Sequence, residues 1–182
     1  MNLNNKRNLS NKEIKNKTYK DTYFKWSKII DSNLKSLNIL DSDLGESIFI
    51  NMNVSDVKIE KVLCWNSNFS NCTFENLNTK NFDSRDNEFY DCTFRNNVFD
   101  FSCLRGSIME NCKFENIKFI QTDLKKIKFK NCSMKNVDFN NCDLFMSNFI
   151  DNSPTNTQIY KSNIFFIKLD KTSKKDIKII DC

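Results

Sequence analysis

The chain has no histidine, a single proline and only two glycines in 182 residues. Without imidazole there is no histidine base, nucleophile partner or metal ligand. So few prolines and glycines mean that turns cannot depend on Gly-Pro chemistry. No stretch approaches the roughly 20 apolar residues that a membrane span needs, and Met1 to Lys20 has no apolar signal core. The expectation is a cytoplasmic protein that neither crosses a membrane nor carries catalytic, metal or cofactor residues.

In place of these residues stand 29 asparagines and 17 phenylalanines. Among non-glycine residues asparagine tolerates the left-handed backbone region best, so it is assigned the bends. An aromatic content of 13% with mixed charge suits a folded chain. The eight cysteines, without an export signal, read as free thiols. They also lack the close pairing of a zinc site.

The organising feature is a repeat. Every fifth residue from Phe24 to Leu169 is apolar at 27 of 30 positions, and 12 of the phenylalanines stand there. The exceptions are Thr79, Ser84 and Pro154. Two residues earlier comes a small or compact residue, such as Ser42, Ser67, Cys92 or Val137, and two residues later Asn or Asp in 18 of 30 cases. A large and a small apolar residue two apart mark the inward face of a short strand. Asn71-Cys72-Thr73-Phe74 returns as Asp91-Cys92-Thr93-Phe94, Asn111-Cys112-Lys113-Phe114 and Asn131-Cys132-Ser133-Met134, a spacing of 20 residues. Four pentads therefore make one coil, and residues 20 apart stack in columns. From 77 to 84 large and small exchange places, with Leu77 and Phe82 before Thr79 and Ser84. This reads as a coil with compensated volume, a local bulge being the alternative.

The pentads Ser42-Asp43-Leu44-Gly45-Glu46, Ser67-Asn68-Phe69-Ser70-Asn71 and Val137-Asp138-Phe139-Asn140-Asn141 resemble the motif of the pentapeptide-repeat family. The resemblance implies an all-β fold, a right-handed quadrilateral β-helix. The organisation expected is a basic N-terminal arm or cap over 1–21, a β-helix over 22–171 and a C-terminal cap or tail over 172–182. Ser10 followed by Glu13 fits a capping box, so a short helix over about 11–20 is expected to cover the first coil. Bacterial members of the family often dimerise end to end through a C-terminal segment, and the best understood imitate duplex DNA and bind DNA gyrase or topoisomerase IV, giving quinolone resistance or self-protection.

The net charge of +5 is unevenly spread. Residues 1–21 hold 6 basic and 2 acidic side chains, 22–151 hold 16 and 18, and 152–182 hold 6 and 3. Asp43, Glu46, Asp83 and Asp86 form the candidate acidic patch for DNA mimicry. Duplex DNA carries one charge per roughly 1.7 Å, far denser than this rod, and a solvated face is the plainer reading. Lysines from Lys113 to Lys135 are interleaved with acids, which disfavours nucleic acid as a partner. The columns set Phe145 under Phe165 and Met146 under Phe166. These four form the candidate interface for a homodimer through the C-terminal end, unless the tail from Ile167 folds back over them. The function expected is a rod-like, non-enzymatic protein-binding scaffold, with the gyrase-directed DNA mimic as the alternative.

Overall fold

The computed structural model describes residues 8–182, which form a β-solenoid of stacked parallel coils. Lys6 and Arg7 of the expected basic arm lie outside the described residues. The bends are set locally. Every fifth residue from Asn11 to Phe166 has a positive φ, without exception, and Gly106 is the only glycine among them. Most are Asn or Asp, whose short polar side chains lessen the cost of this region for L-residues. Between bends, each short strand turns its central residue and the residue two before it inward.

The coils stack into a four-sided rod. One side is a nine-stranded parallel sheet running from Asn8–Ser10 to Lys168–Leu169. A 13-stranded sheet covers two adjacent sides. It turns the corner between them within continuous strands such as Glu13–Lys20, Lys113–Ile120 and Ser133–Asn140. The fourth side makes only isolated bridges, in a column from Tyr23 through Asp43, Leu63, Asp83, Cys103, Asp123 and Asp143 to Asn163. Register is 20 residues throughout, so Phe49, Phe69 and Phe89 pair in line. Their rings stack 4.6 Å apart.

Two ladders reinforce the stack. At one corner each asparagine amide donates to the coil before it: Asn76 to Asp56 (2.8 Å), Asn96 to Asn76 (3.3 Å), Asn116 to Asn96 (2.9 Å), Asn136 to Asn116 (2.8 Å) and Asn156 to Asn136 (2.7 Å). Inside, the cysteine column substitutes for hydroxyls. Cys132 donates to the carbonyls of Met109 and Lys130 just as Thr122 does to those of Phe99 and Ile120. Buried Asn87, Asn97 and Asn152 fill the same site and satisfy a backbone N–H as well, as when Ser67 N–H donates to Asn87 Oδ1 at 2.7 Å.

Coil 69–84 keeps the register of its neighbours. Thr79 and Ser84 remain buried at the central positions, with Leu77 buried and Phe82 half-buried beside them, so large and small exchange places in register and no bulge forms. The first turns differ from expectation. Glu13–Lys20 is a strand paired in register with Asn33–Leu40, not a helix. Asn11 and Asn16 stand at bends with φ of 53° and 54°, so the run that looked like a poor helix is the same pentad pattern carried back to Leu9. At the other end Pro154 lies in a strand with one partner, where its missing N–H leaves no ladder bond unmade. The helix Lys171–Asp176 packs on that strand. Asp170 caps it, accepting from Ser173 N–H at 2.7 Å, and Ile177–Ile180 then pairs with Thr157–Tyr160. The tail thus covers the edge of the last coil. No helix among the described residues is long and apolar enough to cross a membrane.

Candidate functional site

The bridged side differs from the others because its pentads close into tight turns. The carbonyl of the central residue accepts the N–H three residues on, as in Ser107 to Leu104 (3.2 Å), Ile127 to Leu124 (3.1 Å) and Ser147 to Leu144 (2.9 Å). A positive φ at the third turn residue is the type II pattern. Gly106, with φ of 72°, meets it without a Cβ, and a Cβ there would fall 2.2 Å from Asp86 Oδ1. Ahead of several of these turns a carboxylate or amide accepts a backbone N–H two residues on. Asp43 accepts from Gly45 (2.8 Å), Asp123 from Lys125 (3.0 Å), Asp143 from Phe145 (3.2 Å) and Asn163 from Phe165 (3.1 Å). These are Asx turns.

This geometry gives the acidic residues a structural role. Asp43, Glu46, Asp83 and Asp86 lie on one side of the rod, and two of the four are paired with cations. Asp83 holds the Arg85 guanidinium at 2.7 Å, and Glu46 holds Lys25 at 2.8 Å. The hydrogen bonds of Lys25 and Trp26 keep the Glu46 carboxyl below the usual carboxylate range. Further along the same side, Arg105 pairs with Asp123 and Lys125 with Asp143.

The four apolar residues near the C-terminal end lie on this same side. Phe165 and Phe166 are 63% and 61% exposed, Met146 is exposed and Phe145 is half-buried. The rings of Phe165 and Phe166 meet edge to face at 4.5 Å, and Phe145 meets Phe166 at 5.9 Å. The tail leaves them uncovered. Of the ten large apolar side chains exposed among the described residues, seven belong to this side: Tyr23, Trp26, Leu63, Phe101, Met146, Phe165 and Phe166. Sequence reasoning missed Tyr23, Leu63 and Phe101. Tyr23 and Leu63 share the coil position of Asp43, Asp83 and Asn163, and Phe101 stands at the bend that opens this side, so the count of 20 was the signal that could have found them.

Two further features sit on this side. Lys25 lies 4.9 Å from the ring centre of Trp26 and 4.5 Å from that of Trp65, a doubly sandwiched cation tied down by Glu46. Gly45 leaves room for the second indole, since a Cβ there would stand 3.2 Å from Trp65 Nε1. Midway along the rod, Phe82, Asp83, Arg85, Phe101, Cys103 and Arg105 line a shallow cleft of about 410 Å³. Ile30, Ile48 and Ile50 lie on the adjacent nine-stranded sheet, where of the three only Ile48 is exposed. Among the described residues no cluster of three or more Cys, Asp or Glu is placed to hold a metal ion.

Residues 107–144 match the family model of pentapeptide repeats in eight copies. No curated protein matches the chain. Among solved structures, full-length QnrB1, a plasmid-mediated fluoroquinolone resistance protein, aligns over 93% of this chain and 94% of its own at 14% identity, with a TM-score of 0.45. HetL, a pentapeptide repeat protein involved in heterocyst differentiation regulation from the cyanobacterium Nostoc sp. strain PCC 7120, aligns over 91% of this chain and 89% of its own at 11% identity, with a TM-score of 0.28. Rfr23, from the cyanobacterium Cyanothece 51142, covers 80% of this chain and 88% of its own at 11% identity, with a TM-score of 0.29. Residues 107–144 thus carry pentapeptide repeats, and the left-handed residue at every fifth position and the four pentads per coil continue the same geometry from Asn11 to Phe166.

Proposed function

We propose that this protein is a non-enzymatic binding rod of the cytosol that engages protein partners through its bridged side, with a second copy of itself bound at Phe145, Met146, Phe165 and Phe166. The observation that carries this reading is the gathering of seven of the ten exposed large apolar side chains on one of four sides. Isolated exposed apolar residues are ordinary, but a contiguous aromatic group is the usual mark of an interface. The eight free thiols suit a reducing compartment. Charge favours protein over DNA-like mimicry, because Glu46 and Asp83 are already neutralised by Lys25 and Arg85.

Analytical ultracentrifugation tests the dimer. The native chain should sediment as a dimer and the Phe165→Ser/Phe166→Ser double variant as a folded monomer. A native chain that stays monomeric at its highest soluble concentration removes the self-association. The gyrase-directed alternative is tested by a supercoiling assay with and without quinolone, in which this reading expects no effect. An effect abolished by Asp43→Lys with Asp83→Lys would establish mimicry instead.

A further inference from the structure

The core is not filled evenly. Central residues of the later coils are sealed, Phe119 and Phe139 being 0% exposed, whereas Ile39 and Val54 each retain 9%. The cause is in the sequence. The coil of Phe49 completes its four central positions with Val54, Ile59 and Cys64, and the next ends on Thr79 and Ser84, where later coils carry Phe and Leu. A cavity of about 90 Å³ results, lined by apolar side chains and Ser84. A space with hydrocarbon walls and too few polar partners stays dry and accepts apolar guests.

This cavity adjoins a wider recess of about 410 Å³ at the first described coil, and the two share Leu34, Ile39, Leu44 and Phe49 as walls. The recess is lined at its outer level by Leu9, Ile14, Tyr19 and Phe24. Lys12 and Lys17 stand at its rim. Their positions are the inward small sites, which in the next coils hold Ser32 and Met52, and Leu37 and Val57. Lysine at both of these sites, with both side chains exposed at the open end of the rod, is the departure that needs explaining. Among the described residues neither is in an ion pair, although Lys15 between them pairs with Glu13.

The geometry points to a binding site for a long-chain fatty acid, its alkyl chain threaded along the rod axis from the first coil and its carboxylate held by Lys12 and Lys17. The recess and cavity together run from the level of Leu9 to at least that of Phe89, four coil steps or on the order of 19 Å. That reach suits a long unbranched chain and excludes a bulky ring system. Charge-assisted hydrogen bonds from two ammonium groups select an anionic head over a neutral one.

Parinarate, a fatty acid that fluoresces on entering an apolar site, is the probe, with palmitate and hexadecanol as competitors against the full chain. One parinarate should bind per chain and be displaced by palmitate. Lys12→Gln/Lys17→Gln, at exposed positions, should weaken palmitate at least tenfold and leave hexadecanol unchanged. Cys64→Leu should fill the cavity and abolish chain binding while raising the melting temperature. No gain in fluorescence, binding undiminished in Cys64→Leu that melts as a folded protein, or equal loss of palmitate and hexadecanol in the lysine variant would each overturn the proposal. So would concentration-dependent association of two rods through this end that palmitate does not compete with.

Discussion

Asn136 Nδ2 donates to Asn116 Oδ1 across 2.8 Å, one coil resting on the next, and Asn116 makes the same bond to Asn96. Asn116 also sits at φ of 57°. One residue type thus supplies the bend and the tie between bends. The two roles separate by substitution. Asn116→Gly keeps the conformation and loses the ladder, while Asn116→Ala loses both and adds a left-handed cost of about 1–2 kcal/mol. Urea denaturation should rank native above Gly above Ala, and an Ala variant as stable as the Gly variant would show that the left-handed bend costs alanine little.

Phe119 and Val54 occupy equivalent central positions with different surroundings. Phe119→Ala opens a void in a sealed part of the core and should cost about 3–5 kcal/mol. Val54→Ala enlarges a space that already exists and removes fewer atoms, so its cost should be markedly smaller. Denaturation midpoints of the two variants check the contrast.

Asp170 ties the C-terminal helix to the last coil, accepting from Ser173 N–H and from Asp151 N–H. Burial raises its carboxyl pKa, but these hydrogen bonds prevail and hold it below the ordinary value. A depressed carboxylate gives stability that is present above its unfolded value and lost as pH falls through the folded one. Asp170→Ala should cost about 1 kcal/mol as the loss of a helix cap. Lower amide protection is expected in Ile177–Ile180, and in the native protein protection there, taken relative to the intrinsic exchange rate at each pH, should fall on acidification.

Burial pushes the Cys64 thiol up to about 12 and that of Cys142 up to about 11. Below the ordinary value of 9.0 both states hold the proton and the contribution to stability is complete. Above it the unfolded chain releases protons that the folded chain keeps, so stability falls with rising pH until the folded thiols ionise as well. The urea midpoint should therefore drop between about pH 8 and about pH 10.5, and drop less in Cys64→Ser/Cys142→Ser. Under native conditions the exposed Cys182 should react with a thiol reagent well before the buried column.

Much of this architecture is legible in the sequence because the period of five is enforced by sterics at both of its constrained positions. Phe69 and Phe89 must face inward, and Asn71 must bend. The first coil escaped the pattern because Lys12 and Lys17 occupy sites that elsewhere are small or apolar, so the filter that finds Ser32 and Leu37 rejects them. The C-terminal helix is also illegible by period, since Lys171–Asp176 abandons the pentad rule and is held by the Asp170 cap. At the candidate site, residue numbers place Asp43 and Phe165 on one side, but they do not say that Asp83 accepts Arg85. That pairing depends on side-chain torsions, which no repeat encodes.

Stacking by whole coils gives the rod an unusual response to length changes. Loss of 20 residues would shorten it by one layer and leave every side aligned. Loss of five between Phe101 and Phe145 would keep each remaining core phenylalanine inside and each bend a bend, so the fold would survive. Everything downstream would nevertheless rotate by a quarter turn, carrying Phe165 and Phe166 around the corner from Tyr23 and Trp26. For this molecule, deletions in multiples of five test folding, while only multiples of 20 preserve the azimuth of its surface.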